Sequence, residues 1–152
     1  MILGIAKEKA EHTLCYFKPY VKRIEVVGSI RRECAECNDI DILVIPNEKF
    51  TMEFINLLNP KKRGDKLIIY ELAGTQYDLY ICSEENWEVI KLIRTGSKEH
   101  NQKLCSLAIK QGLKLKAGGE GLVDNEGKVI SNTEKGILEF LLGKNISPKE
   151  RK

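Results

Sequence analysis

Asp39 and Asp41 stand two residues apart in the run DIDILVI. Side chains two apart on a strand leave the same face of a sheet. Two neighbouring carboxylates repel unless a cation lies between them, and Mg²⁺ takes such oxygen ligands. Ile40, Ile42 and Val44 then face the core, which leaves the aspartates on the functional face. Asp78, inside the apolar run QYDLYI, joins them if its strand is a neighbour. Aspartate is depleted in strands, so three inside apolar strands argue against a simple polar surface. Upstream, Gly28-Ser29 follows a branched run and leads into Arg31-Arg32. A Gly-Ser turn at a helix start offers amides and a hydroxyl to an anion, and arginine adds a bidentate cation. A triphosphate whose metals sit on carboxylates needs both halves of this arrangement.

The elements that must position these residues are readable from periodicity. Gly4–Val21 has helical spacing, Arg23–Gly28 and Asp39–Ile45 read as strands, and Glu48–Leu58 reads as a helix stopped by Asn59-Pro60. Lys66–Leu72 and Thr75–Cys82 read as a hairpin around Ala73-Gly74. Glu84–Ile93 and Lys98–Gln111 read as helices, with Trp87 in the core. Three short strand-like pieces (LKLKA, GLVD, KVIS) follow, then a helix over Thr133–Leu142 with Gly143 as its C-cap.

The run GSIRRECAECNDIDILV resembles the nucleotidyltransferase signature of the family X DNA polymerases. RTGSKEHNQKLCSLAIKQGLKL, Arg94 to Leu115, is similar to that family's nucleotide-selection segment. TEKGILEFLLGKNISPKER, Thr133 to Arg151, is similar to its C-terminal end, a Thr-Glu helix followed by a Pro-x-x-Arg tail. The resemblance implies an α+β fold: a nucleotidyltransferase palm with a mixed β-sheet flanked by helices over residues 1–88, and a small α/β C-terminal subdomain over 89–152. It implies that Asp39, Asp41 and Asp78 are catalytic and hold two Mg²⁺ ions, with Mn²⁺ as a substitute. Gly28, Ser29 and Arg32 would bind the triphosphate, Gly96 and Ser97 would lie beside the sugar, and Lys98 and Asn101 near the base. The implied reaction is template-directed addition of deoxynucleotides to a primer in repair gap filling. Its partners are a deoxynucleoside triphosphate and primer-template, gapped or nicked DNA, with a repair protein as a further partner of an otherwise monomeric chain.

Four departures from the family pattern are visible. Ile93-Arg94 replaces an aromatic pair, Cys105 replaces a template-contacting arginine, and Gln76 replaces a basic residue two before the third carboxylate. Residues 1–22, ahead of the first strand, leave no room for the family's lyase domain and duplex-gripping region. The layout is similar to that of a compact viral member. Two rival readings are a nucleotidyltransferase with a non-DNA acceptor (a protein, a small molecule or an RNA end) and a non-catalytic nucleotide- or DNA-binding module.

Composition sets the outer limits. The chain has 152 residues, 42% hydrophobic and 31% charged, an ordinary globular balance. No stretch nears the roughly 20 apolar residues of a membrane span, and no secretory leader is evident. Five cysteines, an odd number, point to reduced thiols and a cytoplasmic, nucleoid or viral setting. Cys34 and Cys37 have the spacing of half a zinc site, but structural thiols are the preferred reading. The net charge of +3 is unevenly spread. Residues 1–88 carry 12 basic and 15 acidic side chains, residues 89–152 carry 13 and 7. Arg94, Lys98, Lys103, Lys110, Lys114 and Lys116 are therefore candidate phosphate contacts. Lys61-Lys62-Arg63 reads equally as a solvated loop or a further contact. His12 and His100 read as helix-surface residues.

Overall fold

The computed structural model describes all 152 residues and has an α+β fold with two compact units, Met1–Cys82 and Ser83–Lys152. The division thus falls ahead of the 88/89 boundary expected from the charge shift. No helix is long and apolar enough to cross a membrane.

The first unit opens with α1, Leu3–Phe17, whose buried Ala6, Ala10, Thr13 and Phe17 form one helical stripe. Pro19 lies in a 3₁₀ turn, Lys18–Tyr20, that ends the helix. There follow β1 (Val21–Val27), α2 (Gly28–Arg31), β2 (Ile40–Pro46), α3 (Met52–Leu57), β3 (Lys62–Arg63), β4 (Leu67–Leu72) and β5 (Thr75–Ile81). The five strands make one mixed sheet in the order β1-β2-β5-β4-β3. β1 and β2 are antiparallel, β2 and β5 parallel, and β4 and β5 form the expected hairpin. Ala73 and Gly74 have φ of +51° and +79°, the paired positive φ of a tight hairpin turn. The helices cover one face, where Phe17, Ile40, Ile42, Val44, Phe54, Ile68 and Leu79 form the core. Central strand β2 is buried on both sides, as its near-continuous apolar run requires.

Three expectations are corrected here. Asp39 lies in a bend just before β2, not within the strand. The helix expected from Glu48 begins only at Met52. Asn47 Oδ1 accepts from the Lys49 amide at 2.8 Å and holds a turn, and Thr51 caps the helix by accepting from the Phe54 amide at 3.2 Å. Lys62 and Arg63 form a two-residue edge strand instead of a loop, and Lys61 pairs with Glu71 across it.

The second unit contains α4 (Trp87–Thr95), α5 (Lys98–Lys110), a three-stranded sheet of β6 (Lys114–Lys116), β7 (Gly121–Val123) and β8 (Val129–Ser131), and α6 (Glu134–Leu142). Its core joins Val89, Leu92, Leu104, Ala108, Leu115, Leu122, Ile137, Leu138 and Leu141. Trp87 is fully buried, as expected. Thr133 caps α6 through the Gly136 amide at 3.0 Å. Gly143 ends it in the left-handed conformation at φ +79°, as the sequence predicts.

Candidate active site

The parallel pairing of β2 with β5 decides the geometry. It sets Asp41 opposite Asp78, with Ile40 opposite Tyr77 and Ile42 opposite Leu79. Neighbouring strands lie about 4.8 Å apart, so the two carboxylates rise side by side from the face opposite the helices. Asp39, on the bend before β2, couples electrostatically to both. Burial and the neighbouring Asp78 raise the Asp39 carboxyl above its usual range. Asp41 is pushed up to about 7, first by burial and then by Asp78 and Asp39. The Tyr80 hydroxyl and the Arg32 guanidinium pull it down by less. Tyr80 donates to Asp41 Oδ1 at 3.4 Å, and Gln76 Nε2 donates to Asp78 Oδ1 at 2.9 Å. Gln76 and Asp78 share a face because they stand two apart on β5.

The donors are carboxylate oxygens, the type Mg²⁺ prefers, and their mutual repulsion is what a divalent cation relieves. The carboxyls are not drawn into a ready-made cluster of three metal ligands. Unneutralised like charges resist such an approach, and Gln76 and Tyr80 each engage one of them.

The residues expected to bind the triphosphate lie on the β1–α2 turn. Gly28 has φ +67°, and a Cβ there would meet Asp41 Oδ2 at 2.1 Å, so only glycine fits. Ser29 and Arg32 are half-buried and follow at once. The Arg32 amide closes back on the Gly28 carbonyl at 3.1 Å, and the Cys34 amide on that of Ser29 at 2.9 Å. The turn and the carboxylates thus belong to one site in the first unit. The Cys34–Cys37 loop connects them. Both thiols are free, Cys37 buried and Cys34 half-buried. Cys37 belongs to the core, in keeping with a structural role.

In the second unit Gly96 and Ser97 join α4 to α5 through a cis peptide. The Ser97 hydroxyl caps α5 by accepting from the His100 amide at 3.2 Å. Lys98 is exposed on the first turn. Asn101 Nδ2 donates to the Ile93 carbonyl at 2.8 Å, while its buried Oδ1 has no partner within the protein. His100 is 3% exposed, which corrects the helix-surface reading. Its spacing with Leu104 and Ala108, each four residues on, is the apolar stripe that could have revealed this. Arg94, Lys103, Lys110, Lys114 and Lys116 are all exposed. At the C-terminus Arg151 is buried, donating to Glu134 Oε2 at 2.9 Å and to the Ile146 carbonyl at 3.1 Å.

Residues 91–152 match the family model of the DNA polymerase beta thumb. This thumb match covers the selection segment and the C-terminal run, and it supports a relationship to the family X polymerases. No curated protein matches the chain. For the thumb segment the match points to a polymerase-related or DNA-binding role.

Proposed function

We propose that the chain is a minimal family X-type DNA polymerase that adds deoxynucleotides to a primer end during repair. The observation that carries the reading is the pairing of Asp41 with Asp78 beside Asp39, where burial and the neighbouring carboxylates raise the proton affinity of Asp39 and Asp41. The thumb match of residues 91–152 supplies the DNA context.

In this reading Asp39 and Asp41 would hold both Mg²⁺ ions, and Asp78 would complete the site of the one nearer the primer. When bound, the ions neutralise charge on the attacking and leaving oxygens of an in-line displacement. Ser29 and Arg32 hold the outer phosphates and stabilise the departing pyrophosphate, while Gly28 lets the backbone come close. The primer hydroxyl attacks the inner phosphorus, and Asp78 is the carboxylate placed to take up its proton. Gln76 keeps Asp78 oriented through its 2.9 Å hydrogen bond. On the thumb segment, Gly96, Ser97, Lys98 and Asn101 would contact the sugar and base, and the exposed cations would contact phosphates.

Primer extension with and without a template strand tests the reading. Template-dependent elongation that needs Mg²⁺ is expected. Asp78→Ala should remove it while leaving most triphosphate binding, and Arg32→Ala should weaken triphosphate far more than monophosphate binding. Near-normal turnover by Asp78→Ala would overturn the mechanism. Transfer to a protein, small molecule or RNA end without DNA would establish a different acceptor.

A further inference from the structure

The first unit contains a cavity of about 540 Å³ on the face of the sheet opposite the aspartates. It lies between α1, the end of α3 and the β4–β5 hairpin, and none of the catalytic candidates lines it. Its size falls in the range of small-molecule pockets. Leu57, Leu58 and Leu72 supply apolar walls. Leu57 is 76% and Leu72 61% exposed, unusually open for large aliphatic side chains.

The polar lining consists mainly of donors. Tyr70 and Tyr77 stack with ring centroids 4.9 Å apart and planes within 6°. They are only 5% and 4% exposed, yet neither hydroxyl has a hydrogen-bond partner within the protein. Both residues line the cavity. Burial, and the neighbouring Tyr77 and Tyr16 phenols, raise the Tyr70 phenol above its ordinary range, so it stays a donor at neutral pH. At the rim, Lys9 Nζ is fixed by a 2.7 Å hydrogen bond to Thr75 Oγ1, with His12 nearby. The one lining carboxylate, Glu71, is already paired with Lys61. The cavity therefore offers phenol donors and an ammonium beside an apolar wall, with no unneutralised negative charge.

We infer that this cavity binds a small amphiphilic anion, a flat apolar body carrying one carboxylate or phosphate group. The anionic group meets Lys9 and the Tyr70 and Tyr77 hydroxyls, and the body lies against Leu57, Leu58 and Leu72. Charge-assisted hydrogen bonds to an ammonium and buried phenols give the recognition, and apolar contact adds affinity.

The test uses the full chain in EDTA, so that the metal-dependent triphosphate site takes no part. Titration with 2-naphthoate, 2-naphthyl phosphate and neutral 2-naphthamide is followed by amide and side-chain NMR shifts. At least one anion should bind saturably, with shifts at Tyr16, Leu57, Tyr70 and Leu72, and the tighter of the two identifies the headgroup. The amide should bind about tenfold more weakly, and Lys9→Met should weaken the anion by a similar factor. Lys9 is half-buried on α1 and bonded to Thr75, so a thermal melt of this variant accompanies its titration. Tyr70→Phe, with its shape kept, provides a second reading of the donor set. Equal binding of the amide, absence of saturable shifts, or shifts confined to the Ser29–Asp41 face would overturn the proposal.

Discussion

A Cβ on residue 28 would lie 2.1 Å from Asp41 Oδ2, so the β1–α2 turn and the central carboxylate occupy touching volumes. Gly28→Ala should therefore cost stability and activity together. Left-handed φ costs about 1 kcal/mol, and overpacking about 1–3 kcal/mol more. Gly74→Ala is the control, since it shares a positive φ but has nothing within 4 Å. Urea unfolding should show only the smaller loss for Gly74→Ala. Nucleotide transfer should fall at least tenfold for Gly28→Ala alone, because Asp41 must move.

The raised proton affinity of Asp41 predicts a pH dependence with a definite sign. Its carboxyl titrates near 7 in the folded protein and near its ordinary value when unfolded. The folded state then holds the extra proton, so stability is greatest below the unfolded value and is lost as pH rises from about 4 to about 7. Asp41→Asn should remove this slope, raising the melting temperature at pH 8 with little effect at pH 4. Mg²⁺ should stabilise the natural protein more at pH 8 than at pH 5.5, because below 7 it competes with the proton. Thermal melts across this range, with and without Mg²⁺, check both statements.

The buried Arg151–Glu134 pair makes a separate prediction for the second unit. Removing one partner of such a pair leaves an uncompensated charge and costs about 3–5 kcal/mol. Arg151→Met should have this effect. Arg151→Met with Glu134→Gln should recover part of the loss, although the Ile146 contact stays broken. Chemical denaturation of the parent protein, Arg151→Met, Glu134→Gln and the double variant gives the coupling energy.

The exposed lysines and arginine of the thumb-matching segment predict weak, salt-sensitive DNA binding. The slope of log affinity against log salt should be near −0.9 per phosphate neutralised on duplex DNA. Charge reversal at Lys103, Lys110 and Lys114 should flatten it while leaving nucleotide affinity without DNA unchanged. Fluorescence anisotropy over a salt series measures both.

How much of this was legible in the sequence depended on the range of the interaction. Asp41 and Asp78 alternate with core residues, so strand periodicity alone puts each on the polar face. That their strands are neighbours is a long-range fact, and no local pattern encodes it. Asp39 lies outside the strand because β2 begins one residue later, a boundary that apolar periodicity does not fix. The Asn47 turn and Thr51 cap delayed α3, although both residue types mark such positions. Lys62–Arg63 is too short to show alternation. The polarity of His100 suggests the surface, whereas its place in a stripe with Leu104 and Ala108 puts it in the core. Glu134 and Arg151 stand 17 residues apart in one C-terminal run, yet only folding brings them together.

The parallel register of β2 and β5 also has a consequence for the chain during folding. A slip of one residue would turn one aspartate into the core and the other toward water, because facing alternates at every step. A slip of two would keep the facing but separate the carboxylates along the strand by nearly 7 Å. Either error would leave much of the backbone hydrogen bonding possible and separate the two carboxylates proposed to hold the metals. Under the proposed function, misregistered molecules would thus be inert instead of slow or error-prone. The specific activity of a refolded sample would count the molecules that found the correct alignment.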